Sequence, residues 1–133
     1  MSIRLLVLYY NVSNPLKNLD FIGKLMFIVA MAYFGFRHLG NANEMAGYVP
    51  EFMPMPVLWV YLTGMGLVMT SIAIIVGKKA KLAAQLLGIM LVIFATLVHL
   101  PTGMSGNSGE LLVFFKDIAL AGGAWFMSSQ LTD

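Results

Sequence analysis

The chain has 133 residues, of which 59% are apolar and only 11% charged, and its net charge is +2. Soluble domains are about 25% charged, and a chain this short keeps too much surface in solvent to hide so much apolar material. Disorder is excluded because disordered chains are polar and charged, the small net charge argues against a nucleic-acid partner, and the absence of cysteine excludes disulfides and thiol chemistry by this chain alone.

What remains is an integral membrane protein, read as one domain over residues 1–133. The run from Ser2 to Tyr10 is apolar but holds Arg4 and is too short to cross a bilayer. Asn11, Ser13, Asn14 and Pro15 follow it, with no small-residue cleavage site. It reads as a short interfacial segment or one packed on the bundle, not as a cleaved signal peptide. The Asn-Val-Ser triplet at Asn11 fits a glycosylation pattern but falls on the side assigned below to the cytoplasm.

Four stretches reach the roughly 20 apolar residues that a crossing helix needs. The first runs over about 19–39, with its uninterrupted core from Leu25 to Phe36 and its charges (Asp20, Lys24, Arg37, His38) near the ends. A loop from Gly40 to Pro56 follows, with Pro50, Pro54 and Pro56, alternating Met53 and Met55, and Tyr48, Phe52 and Trp59 around them. It reads as an ordered cap on the outer membrane surface, where interfacial aromatics are expected. The second span, about 57–77, holds no charge. Lys78, Lys79 and Lys81 mark the next loop, and the third span covers about 82–100, interrupted only by Gln85, Thr96 and His99. The fourth covers about 111–129 and contains Lys116 and Asp117.

The fold expected is all-α: an up-down-up-down four-helix membrane bundle. Basic residues of short loops set orientation. They place the lysine loop and both termini in the cytoplasm and the two lysine-free loops outside. Small residues favour helix contacts in lipid, so Ala80, Ala84 and Gly88 in span three, and Ala119 and Gly123 in span four, are expected at interfaces. A stripe of Trp59, Thr63, Gly66 and Thr70 is expected to face other helices. Thr63 and Gln85 are candidates for interhelical hydrogen bonds. The eleven methionines read as adaptable packing.

The topology gathers polar side chains at one end. His38, His99 and Glu110 lie at outer helix ends, with Glu44 and Glu51 in the outer loop. Asp117 lies seven residues after Glu110, on the same face and about 10 Å deeper. A carboxylate at that depth costs roughly 2.5–3.5 kcal/mol on insertion scales and needs a partner. Arg37 and the histidines are the expected partners, whereas Lys116 projects about 100° away and is a weaker partner, free to snorkel. Two readings follow for this set: structural ion pairing, or a ligand site made of His38, His99, Asp117, Glu110 and Arg37. Imidazole suits a proton relay. The histidine spacing matches no local metal motif, and haem is disfavoured. No phosphate-binding loop, nucleophile elbow or zinc-protease helix is present.

The stretch FGFRHLGNANEMAGYVPEFMPMP, with Gly35, His38, Pro50 and Pro54, is followed by YLTGMG, KKAKLAA, VHLP at His99 and KDIALAGGAW. In this order they resemble the DoxX family of small bacterial membrane proteins, from about Phe21 to Gln130. The resemblance implies a four-helix bundle of the bacterial inner membrane. It also implies an association with respiratory or sulfur redox metabolism, as small subunits of a terminal quinol oxidase or a thiosulfate–quinone oxidoreductase. A quinone is then the candidate ligand. Many relatives carry a glutamate before a glycine-rich turn of span two, and here that segment reads Tyr61-Leu62-Thr63-Gly64. Two functions compete: a redox accessory that binds a quinone near the outer face, and a non-catalytic subunit that docks into a larger membrane complex or onto itself. A small transporter is a third and weaker reading, because four helices enclose little space.

Overall fold

The structure, a computed structural model, describes residues 2–6 and 16–133. Residues 3–6 form one exposed helical turn. The rest of the N-terminal apolar run and the Asn11 triplet lie outside the described residues. Every long element is helical: α1 (Leu16–Gly40), the short α2 (Ala42–Met45), α3 (Pro56–Val76), α4 (Ala80–Phe94), α5 (Leu100–Met104) and α6 (Ser108–Ser128). A 3-10 turn (Ala46–Tyr48) follows α2, and a π-helical segment (Ala95–His99) joins α4 to α5. Four helical stretches are long and apolar enough to cross a membrane: Asn18–Gly40, Pro56–Val76, Ala80–Met104 and Ser108–Ser128. The protein is an all-α four-helix membrane bundle.

The helix ends follow local chemistry. Pro56 opens α3, a position where its missing N–H is no loss. The Trp59 indole donates to the Pro54 carbonyl at 2.8 Å, tying the proline-rich cap to the start of that helix. Gly77 closes α3 in the left-handed region (φ 75°) and donates its N–H to Ala73 O at 2.9 Å. Asn107 caps α6 by accepting from the N–H groups of Gly109 and Glu110.

The third span runs past its expected end. Pro101 was expected to begin a loop, yet the helix continues to Met104. Proline has no N–H to offer the carbonyl one turn back. The π-helical register just before Pro101 absorbs that defect, and π segments of this kind concentrate at functional sites. His99 is the last residue of the π segment.

Packing follows small residues only in part. Gly35 of α1 crosses Gly64 of α3 so closely that a Cβ on Gly35 would lie 3.0 Å from the Gly64 carbonyl oxygen. The Ser71 hydroxyl reinforces this crossing by donating to Ile28 O at 3.3 Å. Ala80, Ala84 and Gly88 are buried as expected. The Trp125 ring of α6 lies on Gly88, and its indole donates to Gln85 O at 3.1 Å. Gln85 thus contributes its backbone carbonyl. The expected α6 stripe is corrected: Ala119 is exposed, and the buried face carries Asp117, Ala121, Ala124 and Ser128. A buried position on α6 must also accommodate Asp117, and that choice rotates the stripe away from Ala119. Thr63 is corrected as well, because its hydroxyl donates to Trp59 O within its own helix at 2.8 Å.

Candidate functional site

The four long helices and the cap enclose a cavity of about 490 Å³ at the end opposite the lysine loop. That volume lies within the roughly 300–1,000 Å³ of small-molecule sites. Met31, Phe34, Leu67, Leu91 and Phe94 form part of its apolar lining. Each of the five residues expected at a site, His38, His99, Asp117, Glu110 and Arg37, borders it. Helix periodicity explains the convergence: His99 closes the π segment, while Glu110 and Asp117 stand two turns apart on the facing side of α6.

The polar wall is built on α6 and the π segment. His99 Nδ1 lies 2.7 Å from Glu110 Oε2. On its other side His99 Nε2 lies 3.6 Å from Asp117 Oδ2, an ion-pair contact longer than a hydrogen bond. Asp117 is buried, and its Oδ1 accepts the Lys116 ammonium at 3.1 Å. Lys116, expected as the weaker partner because of its 100° offset, therefore makes the shortest ion-pair contact to Asp117. Its four-carbon stem bends back along the helix, and Nζ sits 4.4 Å over the Phe34 ring of α1, a cation–π contact. Arg37, the other expected partner, makes no ion pair among the described residues; its backbone carbonyl accepts from the Asn41 side chain at 2.9 Å.

The arrangement constrains protons. Two acids and two basic side chains form the cluster, so it balances when all are ionised. Both ring nitrogens of His99 face carboxylate oxygens, and a neutral imidazole has only one N–H. The 2.7 Å contact to Glu110 takes the ring hydrogen on Nδ1, and Nε2, at 3.6 Å from Asp117, lies outside hydrogen-bond range. His38 stands apart from this cluster. Its Nδ1 lies 2.7 Å from Phe34 O, an oxygen that can only accept, so Nδ1 carries hydrogen and Nε2 of the neutral ring is an acceptor. The cavity thus offers donors on the α6 wall and an acceptor on α1.

Sequence reasoning missed the roof. Asn41, Glu44, Tyr48, Trp59 and Thr63 also border the cavity. Tyr48 and Trp59 had an ordinary explanation as interfacial aromatics, and the Gly35–Gly64 crossing that brings α3 alongside His38 has no local signature. The cap prolines were the available signal, since they fix the path of the chain that borders the cavity from above.

The DoxX family model matches residues 19–100. The chain belongs to the DoxX family. The match covers α1, the cap, α3, α4 and the π segment with His99. It ends before α6, so Glu110, Lys116 and Asp117 lie beyond it, although the sequence resemblance was expected to reach Gln130. No curated protein and no solved structure matches the chain.

Proposed function

We propose that this DoxX protein is an accessory component of quinone-linked respiratory or sulfur redox metabolism, and that the cavity holds a quinone head group. The observation that carries the reading is the pairing of a donor wall (the Lys116 ammonium, held by Asp117, beside the His99–Glu110 pair) with the His38 acceptor, inside a cavity whose remaining lining is largely apolar, with Arg37 at its side and Asn41, Glu44 and Thr63 in its roof. A quinone supplies two carbonyl oxygens that accept hydrogen bonds, and its reduced form supplies two O–H donors. The donor wall suits the first, and His38 Nε2 suits the second. Glu110 orients His99 and sits in the first turn of α6, where a proton passed to it is close to the helix end.

The positive loop of Lys78, Lys79 and Lys81 and the lysine-free cap favour the bacterial inner membrane with the cap outside and the termini in the cytoplasm. The chain acts as one domain in this reading. The absence of cysteine makes the orientation testable: a cysteine at Gly47 is expected to react with an impermeant maleimide on intact spheroplasts, and one at Lys79 only after lysis.

The functional test is extraction of the purified protein for quinone. A co-purifying quinone that is lost in His99→Ala and Asp117→Asn supports the proposal. Only phospholipid in the extract, with unchanged quinol turnover in a deletion strain, overturns it. A stoichiometric membrane partner kept by both variants, with no quinone, favours the docking-subunit reading instead.

A further inference from the structure

The long helices do not close on one another equally. Helix α1 packs on α3, α3 on α4, and α4 on α6, while the backbones of α1 and α6 stand apart. Both still border the cavity, with Tyr33 and Phe34 on α1 and Lys116 and Leu120 on α6. Toward the lysine-loop end this seam is filled: the Phe27 ring lies 3.6 Å from where a Cβ on Gly123 would stand. Toward the cap, Lys116 bridges it. The Lys116 side chain remains 42% exposed while its ammonium reaches both Asp117 and the Phe34 ring. Tyr33, exposed beside Phe34, meets that ring edge-on at 5.8 Å. Lys116 lies six residues beyond Glu110, about 9 Å along the helix axis, at a depth where acyl chains surround the protein.

Building on the head-group reading, we propose that the α1–α6 seam is a lateral slot through which an amphiphile passes from the bilayer into the cavity, and that Lys116 is its latch. The ligand class is a head with acceptor oxygens on an apolar tail of several carbons. Moving such a tail into water is unfavourable for every methylene. A ligand that keeps its tail among acyl chains while its head meets Asp117 and His99 needs an opening in the side of the bundle, and the seam is where helix packing leaves one. Lys116 suits the latch because its closed position rests on a half-exposed ion pair and one ring face. An incoming carbonyl oxygen accepts from the same ammonium, so opening exchanges one partner for another.

The test uses the full chain in phosphatidylcholine–phosphatidylglycerol nanodiscs and a benzoquinone whose decyl tail ends in a diazirine. Photolabelling that unlabelled decylquinone competes away is expected on residues 27–34 of α1 and 116–123 of α6. Competable labelling on the separate groove of Gly66, Met69, Thr70 and Met90 between α3 and α4 overturns the slot while leaving the head-group site standing. No competable labelling anywhere overturns both. Lys116→Met removes both the latch and one head-group donor, so it is expected to speed the onset of labelling at least threefold at the same positions while lowering its final extent; an unchanged or slower onset overturns the latch. Bridging Tyr33→Cys to Leu120→Cys with a short bis-maleimide, in a chain that has no other cysteine, is expected to slow labelling at least tenfold. Binding of tail-less benzoquinone to the bridged protein, followed by Trp59 fluorescence, is expected to persist; its loss on bridging would show a disturbed site and overturn the proposed separation of slot from head-group site.

Discussion

The two halves of the bundle are built from the same helices and packed to opposite ends. Toward the lysine loop, Leu87, Ala121 and Ala124 form a filled core with Met31, Leu67 and Leu91, which also border the cavity, and Ile28, Ile74 and Ala80 extend the filled region. Alanine and glycine there let the backbones approach, and Trp125 occupies what space remains over Gly88. In the cap half, larger and polar side chains hold the helices around a cavity, and an ion-paired cluster forms one wall. The difference teaches that four apolar helices do not by themselves specify a filled interior. Small residues let backbones approach in both halves, at Gly88 and at the Gly35–Gly64 crossing, and the charged cluster, whose members need partners in apolar surroundings, marks the half that holds the cavity.

Adding volume to the two halves is the most direct way to break this contrast. Gly88→Ala drives a Cβ into the Trp125 indole nitrogen, so the ring must move and its bond to Gln85 O is lost. Overpacking of this kind costs about 1–3 kcal/mol, and a clear drop in the melting temperature of the detergent-solubilised protein is expected. An unchanged melting temperature would mean that the lysine-loop half is looser than described. Glu110→Gln sharpens the other side of the contrast. It removes the charge that holds His99 Nδ1, and quinone affinity is expected to fall about tenfold, since hydrogen bonds to charged groups are worth roughly 1.5–3 kcal/mol. Titration of the variant in nanodiscs would show whether Glu110 only packs, in which case affinity would stay put.

Two smaller effects complete the series. Asn107→Ala takes away the acceptor for two N–H groups at the start of α6 and is expected to cost about 1 kcal/mol. Thermal melting measures it, and no change would say that water caps this end equally well. Thr63→Leu adds bulk beside the cavity, where space exists, and loses only an intrahelical bond. Its stability is expected within about ±0.5 kcal/mol of the parent. A cost equal to that of Gly88→Ala would erase the distinction between the halves.

Hydropathy located all four crossings, because roughly 20 apolar residues in lipid leave the backbone few options besides a helix. Their ends moved where local chemistry intervened. The third span was expected to stop near Leu100 but runs to Met104, because the π-helical segment accommodates Pro101. Small residues alone misplace the α6 contact face, because burial of Asp117 turns the helix toward Ala121 and Ala124. The gathering of His38, His99, Glu110, Asp117 and Arg37 around one cavity was legible from the topology. His99, one of the expected partners of Asp117, lies 3.6 Å from it, but the shorter contact from Lys116 was not legible: an angular offset between neighbouring residues says little about where a long flexible ammonium ends.

Composition and hydropathy settled the class of the protein, the number of crossings and the end at which its polar groups collect, since burial in a bilayer acts on each segment separately. Tertiary packing alone decided that Lys116 bridges Asp117 and Phe34, that Gly35 and Gly64 draw α1 against α3, and that α1 and α6 stay apart around a cavity. Those features depend on side chains from distant segments meeting in one place, and no single segment carries that information.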